Sequence, residues 1–272
     1  MSESNKPQAL KSFGQHFLVN AGVIEKIASQ VLSLCESVST KKILEIGPGQ
    51  GALTRSLLSK GLFITAIELD PRMVEHLKSE FAEELLTGEL KIIQKDALRL
   101  VPEEFSTDSK ELGFVVCGNL PYNVGSPILF KFLEEFPKAL GFCFMLQREV
   151  VLKFIAPRND KETWSMPSVK IENLCKVIDY FWVKAGSFQP PPKVESGVLT
   201  YRRKEDSKIL VSPFNDPIAY ERFSNFLAQA YSQRRKMLRA LFPELKDSPF
   251  ATQRVEELGP KEIFEVSMKV SL

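Results

Sequence analysis

The stretch Lys42-Ile43-Leu44-Glu45-Ile46-Gly47-Pro48-Gly49-Gln50-Gly51 decides how the chain is read. A short apolar run stops at alternating glycines, and residues 52–60 then carry a helical pattern that Gly61 closes. This is a strand turning through glycines into a helix, a turn in which backbone can come close to a ligand. The spacing is Gly-x-Gly-x-Gly, not the Gly-x-Gly-x-x-Gly of dinucleotide binders. Glycines also make tight turns with no ligand present, so the motif takes its meaning from what surrounds it.

Outward from it, the pattern repeats. Upstream, Val23, Ile24, Ile27, Val31 and Leu34 mark one face of a helix over 21–36. Downstream, residues 63–69 form an apolar strand closed by Asp70-Pro71, with Asp70 suited to cap a helix and Pro71 to begin it. Met73, Val74, Leu77, Phe81 and Leu85 recur at helical spacing and predict one helix. Strands follow at 90–94, 114–117 and 142–146, with a helix over 127–136 between the last two. Strands alternating with helices predict an α/β fold, a Rossmann-like parallel sheet with helices on both faces. Two further strands are expected at 176–183 and 197–203. Near residue 208 the pattern changes. Pro213, Phe214 and Pro217 interrupt the chain, and Tyr220, Phe223, Phe226, Leu227, Ala230 and Tyr231 then repeat at helical spacing. The expected division is an α/β domain over 1–207 and a small helical domain over 208–272.

Composition narrows the function. The 272 residues are 44% hydrophobic and 26% charged, which excludes a disordered chain. Lys+Arg 36 against Asp+Glu 34 leaves a net charge of +2, which excludes a histone-like protein but allows local basic patches. Cys35, Cys117, Cys143 and Cys175 make no Cys-x-x-Cys pair, and the only histidines are His16 and His76, so no metal is expected. Residues 1–11 hold no apolar signal core, and no segment approaches the roughly 18 apolar residues of a membrane span. A cytoplasmic protein is expected, since reduced thiols suit that compartment.

Three successive strand ends carry ligand-type signals: the glycine turn, then Glu68, then Asp96. A carboxylate after the second strand can accept from ribose hydroxyls, and one after the third from an adenine amino group. Each alone is better explained as a cap or a solvated loop residue. Together they fall beside one crevice. The fourth strand ends in Asn119-Leu120-Pro121-Tyr122. An adenine amino nitrogen is a poor nucleophile because its lone pair is delocalised into the ring. The Asn119 oxygen and the Leu120 carbonyl can accept both amino hydrogens and favour a pyramidal nitrogen. Pro121 fixes the turn, and Tyr122 can stack on a flipped base.

With these residues in hand, the chain resembles the S-adenosylmethionine-dependent rRNA adenine dimethyltransferases, specifically those of the small subunit. The resemblance runs nearly end to end. It takes in Phe13-Gly14-Gln15-His16-Phe17-Leu18, the glycine turn, Glu68-Leu69-Asp70, Asp96 and Asn119-Leu120-Pro121-Tyr122. It continues through Gln147-Arg148-Glu149-Val150, Phe188-Gln189-Pro190-Pro191-Pro192-Lys193-Val194, Gln233-Arg234-Arg235-Lys236 and Arg254-Val255-Glu256-Glu257-Leu258. It implies a class I methyltransferase fold with S-adenosyl-L-methionine as cofactor. His16 and Leu18 would lie at the methionine end, Gly47 and Gly49 under the cofactor, Glu68 on the ribose and Asp96 on the adenine. Asn119 would stand where cofactor and target meet, and Phe188 would form the second face of a stacking sandwich with Tyr122. The chain departs from the pattern with His16 in place of an asparagine, with Tyr231 in place of a phenylalanine, and over Trp164 to Val169.

The implied activity is dimethylation of two adjacent adenosines in a hairpin near the 3′ end of small-subunit (16S) rRNA. The substrate would be rRNA within an assembling ribosomal subunit, and the protein a monomer. Arg234, Arg235, Lys236 and Arg239, read as one helical run, and Arg202 with Arg203 are the candidate RNA-phosphate contacts. A large-subunit rRNA adenine methyltransferase shares the motifs. The small-subunit reading is preferred for the match at residues 13–18 and 233–236.

Overall fold

The structure is a computed structural model that describes residues 7–9, 15–105 and 113–271. The chain begins with β1 (Phe17–Leu18), α1 (Ala21–Ser37), β2 (Lys42–Ile46), α2 (Ala52–Leu58), β3 (Phe63–Glu68), α3 (Pro71–Glu80), α4 (Ala82–Thr87) and β4 (Leu90–Gln94). It continues through α5 (Pro102–Phe105), β5 (Phe114–Asn119), α6 (Gly125–Glu135), β6 (Ala139–Gln147), α7 (Arg148–Ile155), α8 (Met166–Leu174) and β7 (Cys175–Val183). The last elements are β8 (Phe188–Gln189), β9 (Ser196–Arg203), α9 (Pro217–Ser232), α10 (Leu238–Leu241) and α11 (Pro260–Ser267).

The main sheet has seven strands in the order β4-β3-β2-β5-β6-β9-β7. Strands β4, β3, β2, β5 and β6 pair in parallel, as the alternation predicts. One of the two further strands, β9, runs antiparallel to β6, with Gly141 opposite Arg202 and Gln147 opposite Ser196. Chain connections leave β2 one way through β3 and β4 and the other way through β5 and β6. The crevice at the carboxyl ends of β2 and β5 is therefore the topological switch point. These two strands approach unusually closely at one place. A Cβ on Gly118 would stand 2.3 Å from the Ile46 carbonyl oxygen, so only glycine fits there.

Helix starts follow local chemistry. Asn20 Oδ1 accepts from the Val23 amide at 3.1 Å, and Asp70 Oδ1 accepts from the Arg72 amide at 3.0 Å, with Pro71 in the first turn. The helix predicted through Leu85 breaks at Phe81, where φ is −119° and ψ is 37°. The Phe81 ring is fully buried beneath the glycine turn, and a Cβ on Gly51 would come within 2.5 Å of it. Packing of that ring overrides helical continuity.

The chain divides into two compact units. The first is the described part of Met1–Arg148 with Val177–Arg202, and the second is Glu149–Lys176 with the described part of Arg203–Leu272. A boundary at 207/208 omits 149–176, which the structure draws into the second unit. Within that unit the Ser168 hydroxyl donates to the Lys153 carbonyl, and Asn173 Nδ2 donates to the Val211 carbonyl at 2.8 Å. Asn173 Oδ1 accepts from the Leu210 amide at 3.1 Å. The second unit buries Phe223, Phe226, Leu227 and Ala230 of α9, and Phe226 stacks on Phe242 with centroids 4.7 Å apart. Trp164, in the segment that departs from the family pattern, is a core residue at 1% exposure.

Candidate active site

A cavity of about 340 Å³ opens in the first unit at the carboxyl ends of the strands. His16, Leu18, Gly47, Gly49, Glu68, Asp96, Asn119, Leu120, Pro121 and Tyr122 all line it. Residues from separate stretches of sequence thus meet, because strand ends at a switch point converge on one crevice. Phe13 and Gly14 lie outside the described residues.

Glu68 ends β3 with its carboxylate buried. Its Oε1 accepts from the Leu69 and Asp70 amides at 2.8 and 2.9 Å, and its Oε2 accepts from the Gly49 amide at 3.2 Å. Burial pushes this carboxyl above its ordinary range, and the three backbone donors oppose that shift. Three fixed donors lock the carboxylate in place; Oε1 already accepts two of them, and Oε2, accepting one, keeps lone-pair capacity for a ligand hydroxyl. Asp96 follows β4, where its Oδ1 accepts from the Leu98 amide at 2.9 Å. Gln15 joins the rim and donates to Asp70 Oδ2 at 3.1 Å. Gln50, also on the cavity wall, donates to the Pro7 carbonyl at 3.0 Å.

Asn119 ends β5 beside Gly118. Its Nδ2 donates to the His16 carbonyl at 2.9 Å. A carbonyl only accepts, so this bond settles which end of the carboxamide is nitrogen and leaves Oδ1 as its remaining acceptor. His16 is itself held. Its Nδ1 lies 2.8 Å from the Pro190 carbonyl and must donate to it, and its ring stacks on Tyr122 with centroids 5.8 Å apart. The Tyr122 hydroxyl is bonded to Ser196 Oγ at 2.6 Å, which fixes the ring from its far end. Burial pushes the Tyr122 phenol up, with the Ser196 bond opposing.

Sequence reasoning passed over Glu45. It is buried in β2, lines the cavity, and accepts from the Thr54 hydroxyl at 2.7 Å. Burial pushes its carboxyl up to about 7, with the Thr54 bond opposing and the Glu68 charge adding to the rise. The available signal was an acid inside an otherwise apolar strand. Ser196 and the Pro190 carbonyl were also missed, because both act across a long sequence separation.

Several predicted residues lie elsewhere. Phe188 does not line the cavity: it is buried in the core, and its backbone pairs with Leu18 in the short β1–β8 ladder. Arg203 is 9% exposed, with its guanidinium 5.1 Å from the Phe214 ring centroid, which does not suit a phosphate contact. Arg202 is half-buried. The run Arg234-Arg235-Lys236 is not helical. Helix α9 ends at Ser232, and the Lys236 amide closes a turn onto the Gln233 carbonyl at 2.9 Å before Met237 bridges to Arg254. Arg234 is exposed as well, and its side chain is engaged at the surface, donating to the Glu162 carbonyl at 3.3 Å and lying 3.9 Å from the Glu256 carboxylate. Arg235, Lys236 and Arg239 are exposed.

A switch-point cavity with a glycine turn and acids on successive strands defines a class I, Rossmann-like methyltransferase. A model of the ribosomal RNA adenine dimethylase family matches residues 7–260, and the chain belongs to that family. It is 36% identical to the ribosomal RNA small subunit methyltransferase A of Pseudomonas putida, over 91% of this chain and 87% of that protein. The protein of that name from Pseudomonas aeruginosa is 37% identical over 88% of this chain and 83% of its own length. Among solved structures, a dimethyladenosine transferase from Plasmodium falciparum superposes with a TM-score of 0.74 at 25% identity, covering 93% of this chain and 98% of that one. The 23S rRNA methyltransferase ErmE shares the fold, with a TM-score of 0.64 at 21% identity over 93% of this chain and 99% of its own.

The raised Glu45 carboxyl makes stability depend on pH. Between an unfolded value near 4.5 and a folded value of about 7, the native state binds more protons than the unfolded state. The stability this group contributes is therefore full below 4.5 and is lost as pH rises through about 7, a loss on the order of 3 kcal/mol. Glu45→Gln keeps an acceptor for Thr54 and removes the charge, so it should flatten this part of the profile. Urea unfolding of both proteins across this range measures it, and identical slopes would contradict the assignment.

Proposed function

We propose that this chain transfers methyl groups from S-adenosyl-L-methionine to the exocyclic amino nitrogens of two adjacent adenosines. These would lie in a hairpin near the 3′ end of small-subunit rRNA, within an assembling ribosomal subunit. The names of the Pseudomonas relatives and of the family support the substrate. In this reading the protein works as a cytoplasmic monomer. Among the described residues no helix is long and apolar enough to cross a membrane.

The cavity fits the cofactor. Its volume lies in the range of small-molecule sites, and its donors and acceptors match a nucleoside. Glu68 would take the ribose hydroxyls, Asp96 the adenine amino group, and Gly47 and Gly49 would keep side chains out of the floor. Leu18 and His16 would border the methionine end. When bound, S-adenosylmethionine supplies an electrophilic methyl group.

The observation that carries the reading is the oriented Asn119 carboxamide. With Nδ2 committed to His16, Oδ1 is left to accept one hydrogen of an adenine amino group, and the Leu120 carbonyl accepts the other. Two acceptors draw the nitrogen toward a pyramidal shape and free its lone pair for in-line attack. Tyr122, tethered by Ser196, offers a flat face on which the flipped base stacks. The protein's contribution is position and orientation, and neither needs a covalent protein intermediate. Phosphates of the RNA would be met by Arg235, Lys236 and Arg239.

Incubating the protein with S-adenosylmethionine and assembling small ribosomal subunits that lack the modification, then measuring the RNA by mass spectrometry, should show dimethyladenosine at two neighbouring positions. Asn119→Ala should slow single-turnover transfer roughly a hundred- to thousandfold, the cost of losing one orienting group at a reacting centre, with cofactor affinity largely kept. Unmodified rRNA in those subunits with the wild-type protein, or an unimpaired Asn119→Ala variant, would overturn the reading.

Neutralising Arg235, Lys236 and Arg239 together should weaken RNA binding. The slope of log affinity against log salt should become shallower by about 0.7–0.9 for each phosphate no longer neutralised. The same change at Arg203 should lower stability instead, because its guanidinium is packed within the second unit. An unchanged salt slope in the triple variant would show that the turn is only a solvated surface.

A further inference from the structure

The sheet carries a second feature at its edge. β7 is the last strand in the sheet order, and alternate residues along a strand face opposite ways. One set is occupied by α1. Asp179 accepts from Gln30, and Lys26 Nζ sits 3.9 Å above the Phe181 ring. The other set is Ile178, Tyr180 and Trp182, exposed by 49%, 46% and 37%. Tyr180 and Trp182 meet edge to face, with centroids 5.6 Å apart at 62°. The Arg148 guanidinium lies 4.9 Å from the Trp182 centroid and is ion-paired with Glu195. Lys184, exposed, follows two residues after Trp182.

Edge strands are ordinarily short, bulged, covered or charged, and a contiguous run of large exposed apolar groups marks an interaction surface. We propose that this face is a stacking platform for unpaired RNA bases, distinct from the methyl-transfer cavity. The proposal rests on the RNA-substrate reading above. Aromatic faces accept any base, which suits a surface that holds RNA without reading it. The charge is complementary to a backbone of phosphates: Glu195 is neutralised by Arg148, and Lys184 adds a further cation. Arg148 already makes with Trp182 the cation–ring layer that a stacked base would extend.

The chain's two tryptophans give a direct probe, because Trp164 is buried and Trp182 is exposed. Oligouridine offers no adenine to the cavity. Its addition to the full-length protein should quench tryptophan emission saturably, and Trp182→Phe should abolish the quenching while keeping most of the binding. Tyr180→Ala and Trp182→Ala should each weaken binding of oligouridine and of the rRNA hairpin by about five- to hundredfold, the range for losing one base–aromatic stack. S-adenosylmethionine affinity and the circular dichroism spectrum should not change. Absent quenching, or wild-type RNA affinity in both alanine variants while the wild-type protein still methylates assembling small subunits, overturns the platform and leaves the methyltransferase reading standing. Quenching by oligouridine with no methylation of assembling small subunits supports the platform and overturns that reading instead. Sedimentation showing a dimer that buries Trp182 would also overturn the platform.

Discussion

The hydrogen bond from Asn119 Nδ2 to the His16 carbonyl is the interaction that the site depends on. Its net stability is modest, about 0.5–1.5 kcal/mol. Its consequence is orientation, because a flipped carboxamide would set two acceptor oxygens against each other. The bond requires the segment before α1 to be held over the end of β5. The β1–β8 ladder does this, with Phe17 opposite Gln189 and Leu18 opposite Phe188, and the Val19 amide adds a bond to the Ser187 carbonyl at 2.9 Å. It also requires β5 to lie close against β2, which Gly118 permits. The Phe188 segment therefore serves the site from below, as a clamp on residues 16–18.

Two carboxylates in this cavity show how surroundings assign different behaviour to like groups. Glu68 accepts three backbone N–H bonds that support its charged form, whereas fully buried Glu45 accepts from the Thr54 hydroxyl. Both are pushed up by desolvation, and Glu45 reaches the neutral range. The two groups share one cavity wall, and the Glu68 charge adds to the rise at Glu45.

Much of this was legible in the sequence. Glu68 and Asn119 stand out because each ends a strand with a clear apolar run, and Asp96 because it follows one closely. Asp70 is legible as a cap because Pro71 follows it. What was hidden depended on distance along the chain. The two-residue strands β1 and β8 are too short to show a period, yet they position His16. Arg203 looks like a surface cation because the sequence does not show that it ends a buried strand. The basic run after α9 keeps a helix-like composition, but it forms a turn ahead of the Met237–Arg254 bridge, and Arg234 is engaged by the Glu162 carbonyl. Residues 149–176 could not be joined to the helical tail by any local pattern, since the Asn173 bonds to residues 210 and 211 span the whole of β7 and β9.

Asn119 is assigned a carboxamide held by His16, a role beyond that of an oxygen acceptor. Asn119→Asp separates the two possibilities, because it keeps an acceptor of the same shape and sets a carboxylate oxygen, with its charge, in place of the donor facing the His16 carbonyl. Single-turnover methylation of the rRNA in assembling small subunits, measured beside calorimetric S-adenosylmethionine affinity, is the most direct measurement. A large loss of transfer rate with cofactor affinity largely retained is the expected result. A variant that methylates at the wild-type rate would contradict the assignment.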